Sequence, residues 1–432
     1  MESSDTMTYD VVGAGFGPAN LSLAVALQER REGGTPRPTA AFFERKPQLG
    51  WHRGMLLPGA KMQISFLKDL VTFRNPASPF SFVSYLHAMG RLPQFVNNQD
   101  FFATRQEFHD YLEWAEAKLA HQVTYGAEIT QIRPPASGRR GEAIEHLEVE
   151  VRGDSLPGGT RVLTAHNIVI STGLVPRMPA GVQRDERVWH SSEFLDRFTA
   201  WNPGELNRVA VVGAGQSAAE VVRYLHDALP DASITAILPP YGYALADNTP
   251  FANRVFDPSA VDDYYYGSER SRDVIWQHHR NTNYSVVDDE VIKGLHERVY
   301  GDEVAGRNRI EFLNLSRVCG VKRAADETRV TVMSVATEET RELDVDVLVC
   351  ATGYDPMNPA PILGELDSLC LRDARGRYRV ERDYRIATAP ELRCGIYLQG
   401  GTEHTHGLTS SLLSNLAVRS GEIVASLLDR RK

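Results

Sequence analysis

Hydrophobic and polar positions along this chain repeat one pattern twice. The first copy reads Tyr9-Asp-Val-Val-Gly13-Ala-Gly15-Phe-Gly17-Pro18-Ala-Asn20 and runs on as Leu21-Ser-Leu-Ala-Val-Ala-Leu27. The second reads Arg208-Val-Ala-Val-Val-Gly213-Ala-Gly215-Gln216-Ser217-Ala218-Ala-Glu220 and runs on as Val221-Val-Arg-Tyr-Leu225. Each predicts a short β-branched strand, a glycine turn and a helix of 3.6-residue period. The first glycine permits the tight turn, and the second lets backbone approach a pyrophosphate at the helix N-terminus. One such turn is a common connection. Two, each between a strand and a helix, point to two dinucleotide-binding units. Ala218 completes G-x-G-x-x-A in the second. In the first, Pro18 takes the sixth place and Gly17 comes one early, which leaves the helix start intact because proline suits a first helical turn.

Further strands fill in the architecture. Thr39-Ala-Ala-Phe-Phe-Glu44 ends in the acidic residue expected to bind a ribose hydroxyl, after an extended polar connection at 28–38. Asn167-Ile-Val-Ile-Ser-Thr172-Gly173 and Asp346-Val-Leu-Val-Cys-Ala-Thr352-Gly353-Tyr354 are buried-type strands, each ending in Thr-Gly downstream of one glycine turn. The order turn, strand end, turn, strand end predicts an α/β chain of two Rossmann-like domains, the second inserted in the first. Residues 1–173 and 347–432 form the first domain in this reading, and 174–238 with 315–346 the second. Residues 239–314, crowded with Asp, Asn and Tyr, predict a small, mostly helical substrate-binding insert. Residues 133–160 read as a surface hairpin.

Composition narrows the class. The 432 residues carry 47 Lys and Arg against 56 Asp and Glu, a net charge of −9, which argues against a nucleic-acid partner. Cys319, Cys350, Cys370 and Cys394 show no C-x-x-C spacing, so neither a disulfide scaffold nor a redox dithiol is expected. Met1 to Thr8 is polar, and no window reaches the ~20 apolar residues of a spanning helix. A cytoplasmic protein with no membrane partner is the expectation. The pairs His404/His406 and His278/His279 lack a clearly spaced third ligand, so no metal is expected. Two dinucleotide domains in one chain suggest a flavin facing a nicotinamide, and without a dithiol the electrons pass to oxygen, a diffusible acceptor or a partner protein.

The run Leu49-Gly-Trp51-His52-Arg-Gly-Met-Leu-Leu-Pro-Gly-Ala-Lys-Met62-Gln63-Ile-Ser-Phe-Leu-Lys68-Asp69-Leu-Val-Thr-Phe-Arg-Asn-Pro76 resembles the flavin-dependent N-hydroxylating monooxygenases, most closely the microbial L-ornithine N5-monooxygenases. So do Asp247-Asn-Thr-Pro-Phe-Ala-Asn253, Asn281-Thr-Asn283-Tyr284, Ala351-Thr-Gly-Tyr354 and His406-Gly-Leu408-Thr-Ser-Ser-Leu-Leu-Ser414, which extend the match along nearly the whole chain. The resemblance implies FAD and NADPH, with L-ornithine and O₂ as substrates. Its chemistry would be N5 hydroxylation by a C4a-hydroperoxyflavin, serving hydroxamate siderophore or related biosynthesis. It also implies a homotetramer.

The resemblance further implies roles for particular residues. Gln63 and Asn283 would be catalytic. Lys68 would pair with the substrate carboxylate, and Asn253, Asn283 and Ser414 would complete the substrate site. Cofactor contacts would come from Gly13, Gly15, Gly17, Pro18, Glu44, Lys46, Trp51, His52, Met62, Gln63 and Arg105. Further contacts fall to Gly213, Gly215, Gln216, Ser217, Thr352, Tyr354, His406, Gly407 and Leu408. Read without the family, Lys68 is a solvated lysine, the asparagines are turn residues and Arg105 is a helix-start charge. The segment Ile237-Leu-Pro-Pro-Tyr-Gly-Tyr243 lacks the arginine that related sequences place there, which leaves NADH as an alternative to NADPH. L-Lysine N6-hydroxylation is the alternative reaction. An electron-transfer flavoprotein reductase and a non-catalytic dinucleotide sensor are alternatives of other classes.

Overall fold

The computed structural model describes residues 8–30, 37–135, 143–324 and 327–429. Most of the polar leader, part of the 28–38 connection and part of the 133–160 segment lie outside them. The chain opens on β1 (Thr8–Ala14), α1 (Pro18–Glu29) and β2 (Ala40–Glu44). Helices α2 (Phe82–Ala88), α3 (Leu92–Asn97) and α4 (Arg105–Ala117) precede β3 (Val123–Tyr125), β4 (Glu128–Arg133), β5 (Leu147–Arg152) and β6 (Thr160–Ile170). Then come β7 (Val175–Pro176), β8 (Val188–His190), α5 (Phe194–Ala200), β9 (Arg208–Val212), α6 (Gln216–Ala228) and β10 (Ser233–Ile237). Helices α7 (Pro258–Tyr265), α8 (Glu269–His279) and α9 (Asp289–Val304) lead to β11 (Ile310–Leu313), β12 (Ser316–Arg323), β13 (Thr328–Ser334), β14 (Thr340–Val345), β15 (Val347–Cys350) and β16 (Tyr354–Asp355). The last elements are α10 (Ala360–Leu363), β17 (Gly395–Leu398), α11 (Glu403–His406) and α12 (Leu416–Asp429).

Each glycine-turn strand lies inside a parallel sheet. In the first sheet β3, β2, β1 and β6 are parallel neighbours. Along its other side β6 pairs first with antiparallel β5, then with parallel β17. The second sheet runs β11-β10-β9-β15-β8, parallel throughout. Such strands are covered on both faces and read as unbroken apolar runs. Alternate residues therefore enter different cores. Val11, Phe42 and Val169 pack with α1, α4 and α12 through Leu23, Leu112 and Ile423. Val12, Phe43 and Ile168 pack on the opposite face with Val149 and Leu363. In the second sheet Val209, Val211 and Val349 meet α6, while Ala210, Val212 and Leu348 meet the antiparallel sheet of β12–β14.

The second unit is inserted in the first, and its two crossings lie side by side. Strands β7 and β16 pair antiparallel, Tyr354 against Pro176. Arg177 N–H donates to Gly353 O (3.0 Å), and its Nε to Asp355 Oδ1 (2.7 Å).

Three sequence expectations are corrected. Strand Val347–Cys350, assigned to the first domain, is central in the second sheet, so the return begins only after its Thr-Gly end. Helix α9 and β11, assigned to the insert, belong to the second unit, because Leu295 and Ile310 are buried in the α6 core. The strongly polar composition before Asp289 masked that apolar stripe. The 133–160 segment, read as a surface hairpin, pairs antiparallel but is not superficial: β4 and β5 join β6 in the first sheet, with Val149 and Val151 fully buried.

At Gly213 φ is +143°, and a Cβ would stand 2.3 Å from Ala351 O. Gly213→Ala must displace backbone, so it is expected to lower stability by about 1–3 kcal/mol or more. Urea titration checks this; an unchanged midpoint would refute the packing argument.

Candidate active site

The first glycine turn leaves the N-terminus of α1 open. Gly15 has φ +83°, and a Cβ on it would stand 2.4 Å from Ser171 O, so no side chain fits. Gly17 caps α1, and nothing lies within 4 Å of where its Cβ would be. The N-terminus of α1, with Pro18 in its first turn, therefore faces open space. Asn20 Nδ2 braces the turn at Gly15 O (2.7 Å). Glu44 closes it from the next strand: Oε2 accepts from Phe16 N–H (2.9 Å) and Oε1 from Lys46 N–H (3.0 Å). Each oxygen keeps a lone pair for a ribose hydroxyl. Lys46 Nζ is tied to Gly50 O (3.2 Å).

The second turn is its counterpart. Gly215 caps α6, and the nearest atom to its Cβ position is Ser285 Cα at 3.7 Å. Ser217 is half-buried in the first turn of α6. Gly173 and Gly353 both adopt positive φ with nothing within 4 Å, so both Thr-Gly strand ends offer bare backbone. Thr352 Oγ1 donates to Arg177 O, which fastens the crossing. Tyr354 rests edge-on against His190, with ring centroids 5.0 Å apart.

The segment Trp51 to Lys68 passes between the two units. Trp51 and His52 meet edge to face at 4.7 Å. His52 is exposed as a residue, but crowding around its ring and the charges of Arg105 and Lys46 hold its pKa down to about 4, so it is neutral near pH 7. Met62 is buried in the first core. Gln63 is exposed and donates through Nε2 to Asp288 Oδ1 (3.2 Å). Arg105 is 8% exposed and Glu220 1%. Two parallel bonds of 3.0 Å join them, and Arg105 Nη1 also donates to Met55 O (2.6 Å). Gln216 Nε2 donates to Glu220 Oε1 and its Oε1 accepts from Asp288 N–H, both at 2.9 Å.

The substrate candidates come together only in part. Lys68 Nζ lies 5.5 Å from the Phe256 ring centroid, and among the described residues no carboxylate is within ion-pair distance. Burial pulls its pKa down and Asp257 opposes that shift. Asn253 and Phe256 share a 3₁₀ helix (Ala252–Phe256), and of the two Phe256 is the buried one. Asn253 Nδ2 donates to Asn248 O (2.9 Å). Asn283 follows α8 and is half-buried. Ser414 is 3% exposed and its Oγ has no partner; Asn415, 2% exposed, has two unpartnered polar atoms beside it. Buried orphans of this kind mark a place where a ligand or water is expected.

His406, Gly407 and Leu408 line a cavity of about 280 Å³ with Arg254, Asp257 and Tyr264. His406 stacks on Tyr384 at 4.1 Å. Its Nε2 donates to Arg382 O (3.2 Å) and its Nδ1 accepts from the Thr405 hydroxyl (2.8 Å). That is the neutral tautomer of a buried packing residue.

Sequence reasoning passed over Glu220, Asp288 and Asn415. Glu220 had a signal: it lies four residues after Gln216 on the same helical face. Asp288 opens the acidic start of α9. The open glycine cradles and the orphaned Ser414 and Asn415 fit a flavin dinucleotide in the first unit, and the Gly215 turn fits a nicotinamide dinucleotide in the second.

The family model described as L-lysine 6-monooxygenase/L-ornithine 5-monooxygenase matches residues 7–356. An L-ornithine N(5)-monooxygenase of Burkholderia cepacia is 40% identical over 404 residues, covering 92% of this chain and 90% of its own. The structure of the Kutzneria sp. 744 ornithine N-hydroxylase, with reduced FAD, NADP⁺ and L-ornithine, superposes with a TM-score of 0.94. It is 64% identical and covers 99% of this chain and 100% of its own. The L-lysine 6-monooxygenase of Pseudomonas syringae is more distant, at TM-score 0.84 and 32% identity, covering 98% of this chain and 100% of its own.

Burial of His406 pushes its pKa down to about 3. A histidine neutral in the fold and ordinary when unfolded adds stability above pH ~6.5, and that contribution fades as pH falls towards the folded value. The thermal midpoint of the wild type is expected to fall more steeply than that of His406→Gln as pH drops from about 6.5 to about 4. Parallel melting curves for the two proteins would count against this.

Proposed function

Because this chain belongs to the L-lysine 6-monooxygenase/L-ornithine 5-monooxygenase family, we propose that it hydroxylates N5 of L-ornithine, using FAD, NADPH and O₂. The balanced reaction is L-ornithine + NADPH + O₂ + H⁺ → N5-hydroxy-L-ornithine + NADP⁺ + H₂O. The observation that carries it is the half-buried Lys68, with no carboxylate at ion-pair distance among the described residues, in a chain that also presents two open dinucleotide turns. That arrangement suits an amino acid carboxylate more than a protein partner.

Bound FAD supplies the two-electron chemistry that activates O₂. The chain's residues do the rest. Gly15, Gly17 and the α1 N-terminus hold the flavin pyrophosphate, and Glu44 holds a ribose. Gly213, Gly215 and Ser217 hold the nicotinamide nucleotide. Lys68 anchors the substrate carboxylate by a charge-assisted bond. Asn253 and Asn283 supply uncharged donors and acceptors to the amino groups. Gln63, restrained by Asp288, borders the place where the amine reacts.

In this reading the first sheet with α1, α4 and α12 is the flavin domain. The second sheet with α6, α9 and β12–β14 is the nicotinamide domain, and the segment from 239 to 288 shapes the substrate end. A cytoplasmic homotetramer serving hydroxamate biosynthesis completes the proposal. Among the described residues no helix is long and apolar enough to cross a membrane.

Flavin-loaded protein with NADPH and O₂ is expected to form hydroxylated product from L-ornithine faster than from L-lysine. Absence of product from either would refute the assignment, and faster turnover of lysine would reassign the substrate. Lys68→Ala is expected to raise the ornithine KM by about tenfold or more, the scale of one bond to a charged group, while NADPH still reduces the flavin. An unchanged KM would remove Lys68 from the substrate site.

A further inference from the structure

Three side chains expected at the cofactors, Arg105, Gln216 and Gln63, are joined to one another through two carboxylates. Glu220 accepts three hydrogen bonds, two from Arg105 and one from Gln216. Gln216 then receives the Asp288 N–H, and Asp288 Oδ1 receives Gln63. Arg105 begins α4 of the first unit, Glu220 lies on α6 of the second, and Asp288 caps α9. One continuous chain of bonds thus runs from Met55 O across the interface and back to Gln63. We propose that Glu220 and Asp288 are positioning residues that set the second unit against the first and hold Gln63 at the crevice between the two glycine turns. The proposal rests on reading those units as flavin and nicotinamide domains.

The chemistry favours this role over simple adhesion. The guanidinium presents a planar fork that a carboxylate meets with two parallel bonds, and that fixes orientation as well as distance. At 1% exposure Glu220 has no competing water. The neighbouring pair Lys61–Glu290 spans 2.9 Å, but with side chains 37% and 68% exposed it holds far less firmly. A buried pair adds little net stability against an apolar replacement, yet losing one partner strands the other. Its use here is to specify one arrangement.

The experiment compares FAD-loaded wild type, Glu220→Gln and Asp288→Ala. Hydrogen exchange without nucleotide is expected to rise in residues 53–63 and 285–290 of both variants, with β1 and β9 unchanged. Anaerobic reduction by NADPH is expected to lose about tenfold in its limiting rate while the half-saturating concentration shifts by less than about threefold. No local change in exchange, or a rise spread over all strands, would overturn the proposal. So would a raised half-saturating concentration at an unchanged limiting rate, the signature of direct nucleotide contact. If Glu220→Gln fails to fold, Asp288→Ala decides by the same criteria. A wild type that NADPH does not reduce would defeat the nucleotide reading, while the exchange pattern would still decide the positioning role.

Discussion

In each half of the molecule a strand-end carbonyl crowds the place where a turn glycine would carry its Cβ: Ser171 O stands 2.4 Å from that position at Gly15, the second glycine of its turn, and Ala351 O 2.3 Å from it at Gly213, the first of its own. This contact lets the end of β6 or β15 press directly on the turn after β1 or β9. Both crevices outside the carboxyl ends of the strands follow from it, and that is where α/β sheets bind ligands. The same closeness leads each strand into a Thr-Gly end whose glycine adopts positive φ. The two crossings between the units begin there, so the ribbon of β7 and β16 starts at the floor of both crevices. The two crevices and the crossings between the units therefore meet at the same kind of steric contact.

A ribbon of two short strands does not by itself fix how two sheets face each other. The buried Arg105–Glu220 pair adds the missing specification. Its partners come from different units, and its planar geometry tolerates little rotation. Desolvating both charges consumes most of what their attraction returns, so the pair is poorly explained as a stabiliser. As a device for a single orientation it is well explained. Domain interfaces inside a chain are otherwise expected to permit relative motion.

The turns were legible in the sequence because glycine is demanded there by sterics, and local sterics leave local signatures. The inserted order of the units was legible for the same reason: Thr172-Gly173 and Thr352-Gly353 repeat the strand-end half of the motif. The position of α9 was not, because Val291, Leu295 and Val299 are spaced among charged residues at the end of a polar segment. The sheet membership of β4 and β5 depended on pairing with β6, which is a long-range property. Glu220 and Asp288 escaped notice because a carboxylate near a helix start is ordinary in sequence. Only the fold reveals that one of them is almost completely buried beneath an arginine from another unit. The family pattern assigned His406 to the cofactor; its ring face stacks on Tyr384 while its nitrogens meet Arg382 O and the Thr405 hydroxyl.

For the proposed substrate, an anchor at the carboxylate end has a consequence for selectivity. A pocket that merely encloses a side chain separates ornithine from lysine by one methylene, worth about 1–3 kcal/mol. With Lys68 holding the carboxylate, the extra methylene changes where the amine stands relative to the reacting oxygen. Small displacements from a near-attack geometry cost rate steeply even where binding is preserved. Chain length would then be read chiefly in how much reduced nucleotide ends as hydroxylated product, and less in affinity. This makes the placement of Lys68 important: its Nζ lies 5.5 Å from the Phe256 ring centroid, and Gln63, five residues earlier, donates to Asp288. The network that orients the two units therefore also restrains the strand of chain from which the substrate is measured.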